Sequence, residues 1–473
     1  MIPDYHCLIA GEPVKSDRFV EVENPYNNAI VGRVSECNAA HTEKAIQSAL
    51  SSNSRLTRYE RFEILDKTRR DLLSKKEEFA KLITSEAGLC MRETLYEVGR
   101  ACDVLQFSAM EALKDDGQIF SCDVSPQGKA RKIFTIREPL NAAVAITPFN
   151  HPLNQVAHKL GPAIAAGTPI ILKPSEKTPL TAIRLAELLY KNGLPGWMLS
   201  VVLGATAAVA EPHVLDERVE LVSFTGSVAV GKHISRTAGY KKLVLELGGN
   251  DPLIILEDAD MDLALHLACE GSFRNSGQRC TAVKRILVHK SLVKSFTEAF
   301  VKKAETYRSG DPASMDTRVG TVIDEASAKR LESSVREAVE QGAKVLLGGN
   351  RNGALLEPTV ISNVRRDAKM ITSESFGPLA PILAVDDIED AIGLANSTPY
   401  GLSSGVVTNN MEHALKAVRE LRCGTVNINE VPGYRIECSP FGGIKNSGLG
   451  IKEGVIEAIK CMTTVKTFSM PWG

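Results

Sequence analysis

Residues 242–256 read KLVLELGGNDPLIIL, two short apolar runs that are separated by Gly-Gly-Asn-Asp. Runs that are apolar on both faces are typical of strands in a parallel sheet with helices packed on each side. Similar runs recur before and after this stretch with helical segments between them, and this alternation indicates repeated β-α-β units. The sequence therefore predicts an α/β protein with two such regions, which meet near residue 248.

The predicted strands and helices alternate over most of the chain. Strands are expected in the first region at 142–147, 169–173, 199–204, 221–226 and 242–249, and in the second at 252–256, 285–289, 344–349, 381–385, 404–408 and 425–429. Apolar residues at helical spacing predict one helix over 58–87, and Gly88 follows it as a residue that readily ends a helix. Further helices are expected over 181–191, near 259–273 and through the 290s.

Two segments interrupt this alternation. Residues 118–138 are typical of a β-hairpin that turns at Pro126-Gln127-Gly128, and CMTTVKTFSM (461–470) is an isolated strand near the end of the chain. Both would expose strand edges, which proteins usually cover. We expect the two segments to pair with each other or with another subunit. The alternative is that each packs on its own domain.

The chain has 473 residues, with 56 lysines and arginines against 57 aspartates and glutamates, a net charge of −1. Binding to nucleic acid or to anionic membranes needs a basic surplus, so neither is expected. No stretch of about 18 uncharged apolar residues occurs, and no membrane span is predicted. The ten cysteines form no C-x-x-C pair and no zinc spacing, and the N-terminus lacks the apolar run of a signal peptide. We predict a cytoplasmic protein with reduced thiols and no metal site.

Three polar residues lie where apolar segments begin or end. Cys280 lies in FRNSGQRCTAVKR (273–285), a loop of small residues in which a nearby donor or cation can favour a thiolate. Glu246 ends an apolar strand, where burial should raise its pKa and suit it to act as a general base. Asn150 offers an amide N–H₂ to a developing oxyanion. Taken singly, an ordinary thiol, a salt-bridged glutamate and a turn-capping asparagine are the alternatives.

Two further segments indicate a nucleotide site. In ILKPSEKTP (171–179), Lys173 and Glu176 come just past a predicted strand, where open α/β sheets bind ligands and the two side chains can bracket ribose hydroxyls. In FTGSVAVGKHI (224–234), Gly226 and Ser227 precede a helix whose N-terminus is a natural phosphate site. The glycine spacing differs from the Gly-x-Gly-x-x-Gly fingerprint, so this motif alone is weak.

Together these segments closely resemble the aldehyde dehydrogenase superfamily. The likeness covers essentially the whole chain, and seven motifs fall in the family's order: PFNHP (148–152), KPSEKTP (173–179), FTGS (224–227), ELGGND (246–251), GQRC (277–280), ESFGP (374–378) and PFGGIKNSGLG (440–450). The resemblance implies an aldehyde dehydrogenase fold with three parts: an atypical Rossmann NAD-binding domain (1–117 and 139–248), an α/β catalytic domain (249–445), and a hairpin and tail (118–138 and 446–473) that bridge a homodimer or homotetramer.

The resemblance also implies roles for individual residues. Cys280 would attack the aldehyde to give a thiohemiacetal and then a thioester, Asn150 and the Cys280 backbone N–H would form the oxyanion hole, and Glu246 would activate the hydrolytic water. NAD would be bound by a larger set, which comprises Thr147, Pro148, Lys173, Ser175, Glu176, Gly226, Ser227, Leu247, Glu374 and Phe376.

Two finer expectations depend on single carboxylates. Glu176 should repel a 2′-phosphate, so NAD is expected, with NADP as the alternative cofactor. Glu246 favours hydrolysis over transfer to coenzyme A, because acylating relatives usually lack a base at this position. A coenzyme A-acylating dehydrogenase and a non-catalytic relative are the competing hypotheses.

Four basic residues bear on the substrate. Arg100, His151, Arg279 and Arg435 are expected to line the substrate tunnel and to suit a small aldehyde with a carboxylate or phosphonate, since arginine binds such groups bidentately. Structural ion pairs, or a packed neutral imidazole for His151, are the alternatives. Arg100, His151 and Arg279 together look most like the phosphonoacetaldehyde dehydrogenases of the superfamily. Oxidation of phosphonoacetaldehyde to phosphonoacetate is therefore the named expectation, and lactaldehyde and succinate semialdehyde are the alternatives.

Overall fold

The computed structural model describes residues 2–51 and 55–472. Within them the helices, in chain order, are α1 (Ala39–Leu50), α2 (Arg58–Ser74), α3 (Lys76–Ala87), α4 (Met91–Ala112), α5 (Asn154–Ala166), α6 (Leu180–Lys191), α7 (Ala210–Leu215), α8 (Val228–Thr237), α9 (Met261–Phe273), α10 (Val293–Ala304), α11 (Glu325–Glu340), α12 (Lys369–Thr372), α13 (Ile388–Asn396), α14 (Met411–Glu420) and α15 (Val455–Cys461). Short 3₁₀ turns cover Gly196–Met198, Arg274–Gly277 and Lys445–Ser447.

The strands, in chain order, are β1 (Asp4–Tyr5), β2 (Leu8–Ile9), β3 (Glu12–Pro13), β4 (Phe19–Glu23), β5 (Ile30–Ser35), β6 (Ile119–Ser121), β7 (Arg131–Pro139), β8 (Ala143–Ile146), β9 (Ile170–Lys173), β10 (Leu199–Val201), β11 (Leu221–Thr225), β12 (Lys242–Glu246), β13 (Asp251–Ile255), β14 (Val283–His289), β15 (Lys344–Leu347), β16 (Arg351–Asn352), β17 (Leu355–Leu356), β18 (Thr359–Ser362), β19 (Leu379–Val385), β20 (Ser403–Val407), β21 (Thr425–Ile428) and β22 (Thr463–Pro471).

Two seven-stranded sheets form the centre of the fold. The first has the order β12-β11-β8-β9-β10-β2-β3, and its strands from β12 to β10 run parallel. The second has the order β15-β18-β19-β14-β13-β20-β21 and is parallel except for the β15–β18 pair. Each apolar run that the sequence singled out contains one of these strands. The predicted α/β class with parallel sheets is therefore confirmed.

The helix predicted over 58–87 is wrong in one respect, because two helices occupy this stretch. α2 ends at Ser74, and the backbone of Lys75 lies outside helical geometry, with φ −106° and ψ 20°. Each helix buries its own apolar side chains, Leu65 and Leu72 in α2 and Phe79 in α3, and the break lets the two faces turn separately toward the core. Gly88 ends α3 in the left-handed conformation, as predicted, with φ 69°.

The predicted hairpin and terminal strand pair with each other. β22 runs antiparallel to β7, from Thr463 opposite Pro139 to Pro471 opposite Arg131, and β6 pairs with the other edge of β7. Several large apolar side chains of this three-stranded sheet remain exposed in the single chain, and these are Ile119, Phe120, Ile133, Ile136, Val465, Phe468 and Met470. Contact with another subunit therefore stays a prediction.

No helix in the described part of the chain has both the length and the apolar character needed to cross a bilayer.

Candidate active site

The carboxyl ends of four neighbouring strands form one side of the site. β12, β11, β8 and β9 lie side by side and run parallel, so the residues that end or follow them meet at one edge of the sheet. Glu246 ends β12, Gly226 follows β11, Thr147 follows β8 and Lys173 ends β9. The order of the strands thus gathers segments that lie as much as a hundred residues apart in the sequence.

The second sheet supplies the opposite side through the segments that lead into its strands. Cys280 lies just before β14, and Glu374 comes before β19. A Cβ atom on Gly249 would lie 2.5 Å from the Cys280 carbonyl oxygen, and one on Gly248 would lie 2.1 Å from the Glu374 carboxylate. The two glycines therefore allow a close approach of Glu374 and the Cys280 loop, which only residues without a Cβ permit.

A strained turn positions the nucleophile loop. Asn275, Ser276 and Gly277 follow one another with φ values of 56°, 53° and 68°, all in the left-handed region. A Cβ on Gly277 would lie 2.1 Å from the Gly377 carbonyl oxygen, so only glycine fits there. The side chain of Gln278 also holds the loop, because it donates to the Thr321 carbonyl oxygen at 3.3 Å and accepts from Ile323 N–H at 2.8 Å.

The Cys280 side chain is partly exposed and has a cation nearby. Burial raises the pKa of the thiol to about 11, and the positive charge of Lys284 opposes that rise in part. The Lys284 ammonium donates to the carbonyl oxygens of Arg279 and Cys280 at 2.7 and 2.9 Å, so the backbone of the loop engages it. Lys284 is thus a cation of the kind that the sequence suggested beside Cys280, and its charge offsets only part of the rise in pKa.

Glu246 is a buried carboxylate without a partner. Its side chain is 4% exposed, and neither carboxylate oxygen accepts a hydrogen bond from any residue that the structure describes. Burial, reinforced by the negative charge of Glu453, raises the pKa of Glu246 well above its usual value. This is the direction expected for a carboxylate at the end of an apolar strand, and it is typical of a general base near neutral pH.

Asn150 is fixed against the nucleophile loop by two amide contacts. Its side-chain N–H₂ donates to the Gln278 carbonyl oxygen at 2.8 Å, and the Asn275 side chain donates to the Asn150 carbonyl oxygen at 2.9 Å. An amide N–H₂ carries two hydrogens, so one remains for a further acceptor. The placement is compatible with a donor to an oxyanion formed next to Cys280.

One cavity of about 550 Å³ connects these groups. It runs from the N-terminus of α8 to the thiol, and Asn150, Glu246 and Cys280 all line it. Its walls include six of the residues that the sequence assigned to the cofactor, namely Pro148, Gly226, Ser227, Leu247, Glu374 and Phe376. Ser227 caps α8, so unpaired backbone N–H groups of the first turn face this end of the cavity.

The remaining cofactor residues lie on the same strand edge but do not line that cavity. Lys173 and Glu176 form an ion pair with each other, and Lys173 is buried while Glu176 is partly exposed. Thr147 joins the ends of β8 and β9, since its N–H donates to the Lys173 carbonyl oxygen at 3.2 Å. The Ser175 hydroxyl accepts from Lys177 N–H at 3.2 Å.

None of the four basic residues assigned to the substrate lines that cavity, and Arg435 is the one whose guanidinium is the least engaged by the described residues. Its guanidinium lies 3.9 Å from the centre of the Phe441 ring, and no residue in the described ranges forms an ion pair or hydrogen bond with it. A Cβ on Gly433 would lie 2.4 Å from the Thr281 hydroxyl, so the loop that carries Arg435 packs against the nucleophile loop. The charge of Arg435 lowers the pKa of Cys280 in opposition to burial.

Arg279 binds the backbone of α9 through one of its nitrogens. Its Nη2 donates to the carbonyl oxygens of Glu270 and Gly271 at 3.0 and 2.8 Å, so the side chain satisfies the last turn of α9. Burial and the nearby charge of Arg274 lower the pKa of Arg279 to about 10. The contacts of Nη2 favour the structural alternative, but Nε has no partner among the described residues, so the substrate contact of Arg279 stays a prediction.

Arg100 and His151 each lie against a carboxylate of the protein itself. Arg100 Nε donates to the Glu437 carboxylate in a short contact. His151 Nδ1 lies 3.5 Å from Glu97, whose other oxygen accepts from the backbone N–H groups of Leu153 and Asn154 at the start of α5. These placements favour the structural alternatives for both residues.

The carboxylates around these basic groups were not identified from the sequence. Glu437 binds both Arg100 and His158, and Glu453 binds Lys159 next to Glu246. These side chains are buried, except that of Arg100, which is 20% exposed. The partners lie about 300 residues apart along the chain, so no local pattern could have identified them.

The whole chain has known relatives. Residues 13–468 match the sequence model of the aldehyde dehydrogenase family. The chain is 40% identical to the 3-sulfolactaldehyde dehydrogenase of Priestia aryabhattai over 463 residues, which covers 98% of this chain and 97% of that protein.

Solved structures agree with this match. The structure of aldehyde dehydrogenase 21 from Physcomitrella patens in complex with the reaction product succinate superposes with a TM-score of 0.96 at 35% identity, over 100% of this chain and 99% of that one. Glyceraldehyde-3-phosphate dehydrogenase GapN from Methanocaldococcus jannaschii, complexed with NADP, gives a TM-score of 0.91 at 37% identity, over 96% of this chain and 100% of that one. The protein is a member of the aldehyde dehydrogenase family, an oxidoreductase that uses NAD or NADP.

Proposed function

We propose that the protein oxidises a small anionic aldehyde to its carboxylic acid, with NAD in preference to NADP. One observation carries the anionic assignment: Arg435 places a guanidinium without a carboxylate partner, among the described residues, beside the nucleophile loop. Arg435 is partly buried, and a cation that is partly withdrawn from water without a carboxylate partner favours an anionic ligand. The relative named as a 3-sulfolactaldehyde dehydrogenase and the relative solved with the reaction product succinate support the same substrate class, small anionic aldehydes.

The residues present fit a dinucleotide. The cavity reaches from the Ser227 helix N-terminus, which suits the pyrophosphate, to Glu374 and Phe376 beside Cys280, which would hold the nicotinamide riboside. Lys173 and Glu176 at the end of β9 would hold the adenosine ribose. When bound, the dinucleotide is the two-electron oxidant that turns the thiohemiacetal into a thioester. On this basis we assign residues 1–117 and 139–248 to cofactor binding and 249–445 to catalysis.

Acylation begins at Cys280. The Cys280 sulfur attacks the aldehyde carbon, and the thiol proton passes to solvent water in the cavity, since the raised pKa favours the thiol as the resting form. The carbonyl oxygen becomes an oxyanion, which the free hydrogen of the Asn150 amide and the backbone N–H of Cys280 stabilise. The thiohemiacetal then forms within reach of the bound cofactor. Arg435 holds the anionic end of the substrate and so fixes which face of the carbonyl meets the sulfur.

Deacylation depends on Glu246. Its raised pKa allows it to take a proton from water, which attacks the thioester and releases the carboxylic acid and the Cys280 thiol. A carboxylate that lines the same cavity as the thiol, and whose two oxygens have no partner among the described residues, favours hydrolysis over transfer to coenzyme A. Product identification with and without coenzyme A separates the two reactions.

The identity of the anionic group is open to a direct test. We expect high kcat/KM values for the three anionic aldehydes, 3-sulfolactaldehyde, succinate semialdehyde and phosphonoacetaldehyde. The value for lactaldehyde, which carries no charge, should be clearly lower. The phosphonoacetaldehyde named from the sequence stays a prediction within this panel. The measurement is formation of the reduced cofactor, with each aldehyde and with NAD or NADP. Equal kcat/KM for the neutral and the anionic aldehydes would overturn the anionic assignment.

Two further assignments complete the proposal. The exposed apolar side chains of the β6–β7–β22 sheet support its use as a bridge in a homodimer or homotetramer, in line with the role expected for 118–138 and 446–473. The cysteines are all free thiols, which supports a cytoplasmic location.

A further inference from the structure

Glu437 neutralises the charge of Arg100, one of the basic residues that were expected to bind the substrate. It lies two residues after Arg435, on the loop that packs against the Cys280 segment, and its carboxylate binds Arg100 Nε and His158 Nε2, the latter at 2.5 Å. The side chains of Glu437 and His158 are almost fully buried, and that of Arg100 is 20% exposed. Arg435 alone is left without a counter-charge among the described residues.

Arg100 and Glu437 cancel each other, so the cluster of Arg100, His158, Arg435 and Glu437 carries one positive charge when His158 is neutral. Burial holds the pKa of His158 below its usual value, which favours the neutral imidazole as a donor from Nε2. Burial opposes the charge on Glu437, but the hydrogen bond from His158 and the charges of Arg100 and Arg435 hold its pKa far below the usual range.

The other charged groups near Glu437 do not add positive charge. Asp103 on α4 is exposed and acts on both Glu437 and Arg100, and Glu97 on the same helix also acts on Arg100. From the C-terminal segment, Glu453 acts on Arg435. Glu453 is itself paired with Lys159, and the two carboxylates of α4 can only lower the positive potential at the substrate's anionic group.

We propose that Glu437 makes the site selective for aldehydes with a single negative charge and disfavours those with two. This inference rests on the proposed function and refines its substrate class. A sulfonate or carboxylate brings one charge, which the guanidinium of Arg435 matches. A doubly ionised phosphonate brings a second charge, for which the described residues of this cluster offer no second unpaired arginine and which the Glu437 carboxylate repels.

The pH dependence of two substrates tests the proposal in the unmodified enzyme. A phosphonate loses its second proton near neutral pH, as phosphate esters do, whereas a sulfonate stays singly charged. The kcat/KM of phosphonoacetaldehyde divided by that of 3-sulfolactaldehyde should fall about tenfold from mildly acidic to mildly alkaline pH. Both substrates share Cys280 and Glu246, so the titration of these groups cancels in the ratio. A ratio that stays constant or rises overturns the proposal.

A matched pair of variants gives the second arm. Glu437→Gln removes the negative charge, so the same ratio at alkaline pH should rise about tenfold over the unmodified enzyme. Asp103→Asn removes an exposed charge without touching the buried contacts, so it should move the ratio the same way by a smaller factor because solvent screens it. If Glu437→Gln does not fold, the selectivity proposal is tested by the ratio in Asp103→Asn and by the pH series in the unmodified enzyme.

The reference substrate separates this proposal from the one it rests on. Lactaldehyde reports general damage, because it carries no charge. A Glu437→Gln enzyme that loses kcat/KM equally for all three aldehydes has a structural role only, and this overturns the selectivity proposal. An unmodified enzyme that oxidises lactaldehyde as well as both anionic aldehydes overturns the anionic assignment, and the charge selectivity with it. Preference for anions with an unchanged ratio between them overturns the selectivity alone.

Discussion

The cofactor side and the substrate side of Cys280 differ in how closely the sequence expectations agree with the structure. On the cofactor side, six residues named from short motifs line one cavity, and the others lie on the same strand edge. On the substrate side, the four basic residues that were expected together have different partners, and none of them lines that cavity. Helix carbonyls bind Arg279, carboxylates lie against Arg100 and His151, and Arg435 alone is free among the described residues.

The difference follows from what each side is made of. Backbone groups at strand ends and helix N-termini form the cofactor side, and the local sequence fixes where strands and helices end. Long charged side chains form the substrate side. A guanidinium can reach several partners, and the choice depends on which carboxylate or carbonyl the fold brings near. Substitutions on the two sides should therefore have separable effects.

The largest effect is expected at the point where the two sides meet. Cys280→Ser should abolish aldehyde oxidation by several orders of magnitude, because the hydroxyl is a far weaker nucleophile than sulfur. Binding of NAD, followed by quenching of protein fluorescence, should be retained, since the cofactor contacts are elsewhere. Turnover within tenfold of the unmodified enzyme would contradict the role of Cys280.

Glu246→Gln should slow steady-state turnover about 10²- to 10⁴-fold, the range for loss of a general base. One equivalent of reduced cofactor should still form rapidly, because acylation does not need this carboxylate. In the unmodified enzyme the hydrolytic step should speed up as pH rises through the raised pKa of Glu246, because the protonated form below that pKa is inactive. Stopped-flow measurements over a pH series check both points. A variant without a burst, or with an unchanged pH profile, would count against this assignment.

Arg435 and Arg279 form a matched pair for the substrate side. Arg435→Met should lower kcat/KM for anionic aldehydes about ten- to a hundredfold and leave a neutral aldehyde little changed, as expected for one lost charged hydrogen bond. Arg279→Met should leave the ratio of anionic to neutral substrates unchanged. It should instead reduce the free energy of unfolding by about 1–3 kcal/mol, because two helix carbonyls lose their donor.

The pair can also fail in an informative way. If Arg279→Met lowers the ratio of anionic to neutral kcat/KM as much as Arg435→Met does, the original expectation for Arg279 was right. Urea denaturation of both variants supplies the stability control.

Glu176→Gln tests the cofactor side with a smaller effect. Removing this carboxylate should raise kcat/KM for NADP relative to NAD by about tenfold, because a 2′-phosphate no longer meets a negative charge. The substrate ratio should not change, since Glu176 lies on the far end of the strand edge. Titration of both cofactors against a fixed aldehyde measures this preference. An unchanged ratio of kcat/KM for NADP to that for NAD would contradict the proposal that Glu176 binds the adenosine ribose.

Phe468→Asp should have the smallest effect on the chemistry. Phe468 is 40% exposed on the β6–β7–β22 sheet, where it stacks on Phe134 at 5.2 Å. A charge there should shift the protein to a smaller assembly in sedimentation experiments, with little loss of kcat per subunit. An exposed residue of another element, such as Tyr59→Asp, is the matched control. An unchanged sedimentation coefficient would contradict the bridging role of this sheet.

Much of the fold could be predicted from the sequence, because strands of a parallel sheet with helices packed on both faces are apolar on both faces. Every apolar run singled out contains a strand, while the break at Lys75 was missed, because apolar spacing continues across it. The raised pKa of the Cys280 thiol was not predicted, because the effect of burial on it depends on the whole fold. The raised pKa of Glu246 was foreseen because a strand end next to two glycines already implied burial.

The sequence by itself determined the family, the α/β sheets and the positions of Cys280, Glu246 and Asn150 at the ends of elements. Local periodicity and short motifs suffice for that, because they act through backbone geometry. Only the tertiary structure decided which charges meet. Glu437 pairs with Arg100 across 337 residues of sequence, and Arg435 is left free as a consequence. Charges interact through space and not along the chain, so the partners of these charged residues could be identified only from the tertiary structure.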